Sequence, residues 1–222
     1  MNTLRYGVRA AINKALTIAF AIWAGAAQAE TTVLALGDSL TQGYGLVPED
    51  GFVAQLDAWL DDNGSPAVVI NGGVSGDTSA GGLSRVEWSL TPEVDAMIVA
   101  LGGNDLLRGF APEVTRANIE GILAIAQDRN LPVLLIGIEA PGNYGADYKT
   151  AFDAIYPTLS ETYGTLYLDS IFAGLRDADG TLTPSAEFMQ SDGIHPNAEG
   201  VTRMITAIGP MVAKLIDRVP DS

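Results

Sequence analysis

Apolar residues along this chain follow two different rhythms. Largely apolar runs at 32–36, 67–70, 94–101, 131–138 and 166–168 each end at a polar or glycine-rich turn, the pattern of buried strands. Between them the spacing changes to three and four. Phe52, Leu56, Trp59 and Leu60 mark one helix, and Leu83, Val86 and Leu90 a second, closed by Pro92. Pro112 opens a third, with Ile119, Ile122 and Leu123 inward and Asn130 and Pro132 ending it. Tyr148, Phe152, Ile155 and Leu159 line a fourth. Pro196 starts a last helix bearing Val201, Ile205, Ile208, Val212 and Leu215. Strands alternating with helices predict βαβ units and a mainly parallel sheet, and continuous apolar strands predict a sheet covered on both faces. The expected architecture is a three-layer α/β/α sandwich of five strands, formed by residues 30–222 as one domain.

The first 29 residues depart from this pattern. Arg5, Arg9 and Lys14 are their only charges, residues 15–27 are apolar, and Ala27-Gln28-Ala29 has the small-x-small form of a cleavage site. This reads as a secretory signal peptide, too short in its apolar part for a membrane span, and predicts a periplasmic or secreted mature protein cut after Ala29. Cleavage would leave 9 Lys and Arg against 27 Asp and Glu, a net charge of −18. Such a surface disfavours nucleic acid and anionic membranes as partners. No obligate protein partner is evident. The chain has no Cys and one His, which excludes thiol catalysis and the common zinc sites. No metal or cofactor is expected. Asp177-Ala178-Asp179-Gly180 lacks the later spacing of a calcium loop and reads as a plain turn.

The single imidazole, His195, lies in Asp192-Gly193-Ile194-His195-Pro196, and is the only candidate for a proton shuttle near neutral pH. Asp192 is close enough in sequence to orient it. Ser39, in Gly37-Asp38-Ser39-Leu40 after the first strand, can supply a nucleophile. No Gly-x-Ser-x-Gly elbow occurs, so the α/β-hydrolase signature is missing.

Two more blocks lie between these motifs: Ser75-Gly76-Asp77-Thr78-Ser79 and Leu101-Gly102-Gly103-Asn104-Asp105. With Ser39 and His195 they complete a set that resembles the SGNH, or GDSL, hydrolases. Residues 102–110, 143–145, 151–157 and 189–197 resemble one branch, the bacterial periplasmic acyl-CoA thioesterase, lysophospholipase and arylesterase group. The resemblance spans nearly all of 32–215. It implies a flavodoxin-like strand order 2-1-3-4-5 and hydrolysis of acyl esters and thioesters through an acyl-enzyme. It assigns Ser39 as nucleophile, His195 as base and Asp192 as its partner. The oxyanion donors are the Ser39 and Gly76 backbone N–H groups and the Asn104 side chain. Asp38, Asp77 and Asp105 read as structural.

In the resembling branch the loops after strands 3 and 4 flank the acyl chain. This nominates Leu106, Leu107, Phe110, Glu139, Ala140, Pro141, Asn143 and Tyr144. Glu139-Ala140 departs from the branch, where a basic and then a larger apolar residue are common. The expectation is that a carboxylate there disfavours acyl-CoA and that the small Ala140 reshapes the chain pocket. Two other functions fit less well: a carbohydrate O-acetyl esterase, which would need a polar cleft, and an acyl-binding module without turnover.

Overall fold

Backbone pairing in the computed structural model, which describes residues 30–176 and 185–220, follows the apolar runs. The strands are β1 (Thr31–Gly37), β2 (Ala67–Gly73), β3 (Ala96–Ala100), β4 (Val133–Ile136) and β5 (Leu166–Leu168). Every neighbouring pair is parallel, and the order is β2-β1-β3-β4-β5, as the resemblance implies. The longer helices are α2 (Phe52–Asp62), α3 (Ser79–Ser89), α5 (Pro112–Asp128), α6 (Ala146–Asp153), α7 (Ile155–Tyr163) and α8 (Ala198–Ile216). Two one-turn helices, α1 (Ser39–Gln42) and α4 (Gly103–Leu107), follow β1 and β3.

The helices form two packing groups. α2 rests on β2 and on α8, which also reaches β3, β4 and β5. α3 packs against β1 and α5, and α5 continues to α7, which touches β4 and β5. The central strands are consequently sealed. Leu34, Leu36, Met97, Ile98, Leu134 and Leu135 are essentially inaccessible. Burial of each such side chain contributes roughly 1.5–3 kcal/mol. Cover on both faces does not extend to edge strand β2, where Val68 and Ile70 alternate with the buried Ala67 and Val69. The helices span the middle of the sheet, so one face of its edge remains open.

Two helix expectations need correction. Tyr148 to Leu159 is not one helix: α6 ends at Asp153 and α7 begins at Ile155. Pro157 has no N–H to give the Asp153 carbonyl, and its ring would crowd that carbonyl in a continuous helix. The last helix starts at Ala198 instead of Pro196, because the Asn197 side chain accepts the Gly200 N–H at 2.9 Å and caps it.

Strand register positions the functional loops. Gly37 pairs with both Gly73 and Ala100, so β1, β2 and β3 stop at one level. Gly73 must be glycine, because a Cβ there would lie 2.2 Å from the backbone nitrogen of Gln42. The close approach lets α1 settle against the end of β2. In open parallel sheets, ligands bind beyond these carboxyl ends.

Candidate active site

Ser39 is the first residue of α1, and Asp38 caps it by accepting the Leu40 N–H at 3.0 Å. The other carboxylate oxygen of Asp38 accepts the Asn104 amide at 3.3 Å, joining the loop after β1 to the loop after β3. Asp38 is almost fully buried. Desolvation raises its pKa above the ordinary carboxylate value, opposed by the bonds from Leu40 and Asn104 and by His195.

His195 reaches Ser39 from the loop before α8. Its Nε2 lies 2.9 Å from Ser39 Oγ, and its Nδ1 lies 2.7 Å from Asp192 Oδ2. The second Asp192 oxygen accepts the backbone N–H groups of Ile194 at 2.9 Å and His195 at 3.0 Å. The His195 N–H bond, the imidazole bond and the Ile194 N–H bond together lower the Asp192 pKa to about 2. A carboxylate with these partners is ionised and fixed in direction. It favours the tautomer with hydrogen on Nδ1, leaving Nε2 free to accept a proton.

His195 is also braced by residues other than Ser39 and Asp192. Gln190 donates from its backbone to the His195 carbonyl at 2.7 Å. Its side-chain amide donates to the carbonyls of Tyr44 at 2.8 Å and Pro196 at 2.9 Å. The Tyr44 ring packs on the imidazole with centroids 4.6 Å apart and planes tilted by 37°.

Ser39, Gly76, Asn104 and His195 all line one cleft of about 320 Å³. Of the nominated acyl-wall residues, Leu106, Leu107 and Glu139 line it too. Phe110, Ala140, Pro141, Asn143 and Tyr144 are not among its lining residues. Ala140 is buried, its N–H on Asp153 at 2.7 Å and its carbonyl on Lys149 at 2.7 Å. The Tyr144 ring lies tilted against Tyr148, with centroids 5.0 Å apart, and the Tyr148 hydroxyl donates to the Phe110 carbonyl at 2.8 Å. Pro141 and Asn143 are exposed turn residues. The cleft wall instead includes Leu40, Tyr44, Ile138, Phe172 and Ile194, which the sequence did not nominate.

Glu139 carries less free charge than its sequence position suggests. Arg176 bonds its carboxylate at 2.8 Å and that of Asp169 at 3.0 Å. The three other acidic residues of the motifs hold structure. Asp38 bridges two loops, as above. Buried Asp105 accepts the Ser79 N–H at 2.8 Å, the Ser79 hydroxyl and the Thr115 hydroxyl at 3.3 Å. Asp77 pairs with Arg85 at 2.7 Å. The turn at 177–180 lies outside the described residues.

A family model described as GDSL-like lipase/acylhydrolase matches residues 35–203. The chain is 36% identical over 189 residues to Esterase TesA of Pseudomonas aeruginosa, covering 85% of this chain and 90% of that protein. It is 37% identical over 179 residues to Thioesterase 1/protease 1/lysophospholipase L1 of Escherichia coli, covering 78% and 79%. Among solved structures, AlinE4, an SGNH-hydrolase family esterase, is 41% identical with a TM-score of 0.68, covering 83% of this chain and 96% of the other. The Pseudoalteromonas esterase EstA, solved inhibited by monoethylphosphonate, is 30% identical with a TM-score of 0.75, covering 85% and 100%.

Proposed function

This chain belongs to the GDSL-like lipase/acylhydrolase family and is an ester hydrolase, and from that premise we propose a serine mechanism run by Ser39, His195 and Asp192. The observation that carries it is the unbroken contact line from Ser39 Oγ through the imidazole to Asp192, at 2.9 and 2.7 Å. Ser39 Oγ attacks the acyl carbonyl carbon while its proton passes to His195 Nε2. The carbonyl electrons move to oxygen, and the Ser39 and Gly76 N–H groups and the Asn104 amide receive that oxyanion. Asn104 uses one amide hydrogen on Asp38 and keeps a second for this task. Collapse of the intermediate expels the leaving group, which takes the proton from Nε2. Water then releases the acyl chain by the same steps, regenerating Ser39. Asp192 stabilises the imidazolium at both stages.

The leaving group must lie within reach of Nε2, so Tyr44 and Ile194 beside the ring form its wall. Leu106, Leu107, Ile138 and Phe172 are left to the acyl chain. These walls favour apolar acyl esters, with aryl esters, lysophospholipids and acyl thioesters as substrate classes. They argue against a polar carbohydrate acetyl ester. We further infer that residues 1–29, outside the described region, direct export and are removed. No helix among the described residues is long and apolar enough to cross a membrane.

Nitrophenyl esters of increasing chain length, assayed on wild type and Ser39→Ala, test this reading. Wild type should prefer chains longer than acetyl, and Ser39→Ala should lose at least ~10³-fold in kcat with an unchanged melting temperature. A Ser39→Ala enzyme within tenfold of wild type would overturn the mechanism.

A further inference from the structure

Gly76 occupies the third position of a four-residue turn. The Asp77 N–H donates to the Val74 carbonyl at 3.0 Å, closing the turn over Ser75 and Gly76. Gly76 has φ +78°, the positive φ that a type II turn places there and a type I turn does not. The two turn types differ by a flip of their central peptide, here the one joining Ser75 to Gly76. That peptide carries the N–H assigned above to the oxyanion. After a flip the N–H would point away, and the Ser75 carbonyl would face the developing negative charge. Glycine at 76 accommodates this positive φ without strain, so the turn sets the direction of the N–H and its anchors set where that N–H sits.

Two side chains anchor the turn, one on the peptide before Ser75 and one on the peptide after Gly76. Gln42, the last residue of α1, accepts the Ser75 N–H at 2.8 Å and also the Ser75 hydroxyl. Arg108, immediately after α4, donates to the Gly76 carbonyl at 2.9 Å. α1 begins with Ser39 and α4 carries Asn104, and Asp38 already links those two. The three oxyanion donors are therefore tied pairwise: Ser39 to Asn104 by Asp38, Ser39 to Gly76 by Gln42, and Asn104 to Gly76 by Arg108.

We propose that Arg108 and Gln42 are positioning residues that fix the turn carrying the Gly76 N–H relative to Ser39 and Asn104, by holding the two peptides that flank the Ser75–Gly76 peptide. This rests on the reading of Gly76 as an oxyanion donor. Arg108 is exposed, so its removal leaves the core untouched and acts on the turn alone. Pre-aimed donors stabilise the transition state more than bound substrate. Losing one brace should therefore appear in kcat and spare KM.

Arg108→Ala, Arg108→Lys, Gln42→Ala and the double Ala variant are compared on a nitrophenyl butyrate substrate. Each is also titrated with an alkyl boronic acid, which forms a tetrahedral anion on the serine. Each single Ala variant should lose about tenfold in kcat with KM within about twofold. Boronate affinity should fall by the same factor and the melting temperature should hold. Arg108→Lys, which keeps a charged donor, should recover part of the loss, and the double variant should exceed either single one. Wild-type kcat and boronate affinity in Arg108→Ala and Gln42→Ala, or a KM effect alone, would overturn the proposal. Asn104→Ala separates the two levels. If it also keeps full kcat and boronate affinity, the oxyanion assignment itself fails; if it loses both while the Arg108 and Gln42 variants do not, only the bracing role fails.

Discussion

Asp192 shows how much a single side chain does at this site. Its two oxygens divide the work, one taking two backbone N–H groups and the other the imidazole. With its pKa lowered to about 2, its ionisation favours the folded loop at every pH above the ordinary carboxylate value. That contribution fades only as pH falls towards 2. Asp192 should therefore add no inflection to the pH profile of kcat above about pH 4. Asp192→Asn would keep its oxygen on the two N–H groups and turn an NH₂ toward Nδ1. The hydrogen would then sit on Nε2, which could no longer accept the serine proton. A kcat loss of roughly 10³–10⁴ is expected from kinetics on the pure variant, and a variant within tenfold of wild type would contradict it. The sole His and the Ser of the Gly-Asp-Ser-Leu turn stood out in the sequence, the resemblance to the SGNH hydrolases nominated them with Asp192, and the structure brings the three side chains together. Tyr44, Ile138 and Phe172 did not stand out. Ordinary apolar residues become a cleft wall only when separate loops converge, and Ala140, nominated by its place after strand 4, instead points its backbone at Asp153 and Lys149.

Among the elements, strands were the easiest to read, since a strand buried on both faces requires a short unbroken apolar run. The short α1 and α4 were hidden by the glycines beside them, yet they carry Ser39 and Asn104. The break between α6 and α7 depends on one proline whose missing N–H outweighs a good apolar periodicity. The contact of α1 with the end of β2 makes a sharp prediction. A Cβ on Gly73 would meet backbone atoms of Gln42 and Thr41 at 2.2–2.8 Å, and backbone cannot rotate away. Gly73→Ala should cost about 1–3 kcal/mol of stability, read as a lower melting temperature, and should reduce kcat because α1 carries the nucleophile. A variant with wild-type melting and turnover would show that the two elements are not seated on each other.

At the scale of the molecule, charge is the dominant feature. The proposed removal of residues 1–29 would leave a net charge of −18, which should slow encounter with an anionic acyl-CoA and leave a neutral ester of the same chain unaffected. Glu139 shares the Arg176 guanidinium with Asp169, which makes it one acidic group among many instead of a lone charge at the cleft. The value of kcat/KM for acyl-CoA should rise with salt while that for the neutral ester stays flat, and Glu139→Gln should leave the difference nearly intact. Equal salt responses, or loss of the difference in Glu139→Gln, would refute a whole-surface origin. Whatever the substrate, the proposed chemistry runs through one serine, Ser39, and one imidazole, His195, 2.9 Å apart. The most direct check is to treat the native enzyme with a serine-directed phosphonate and map the adduct by peptide mass spectrometry. The account predicts one phosphonate per chain, on Ser39, with activity lost in proportion. An adduct on another residue, or full activity with Ser39 modified, would contradict it.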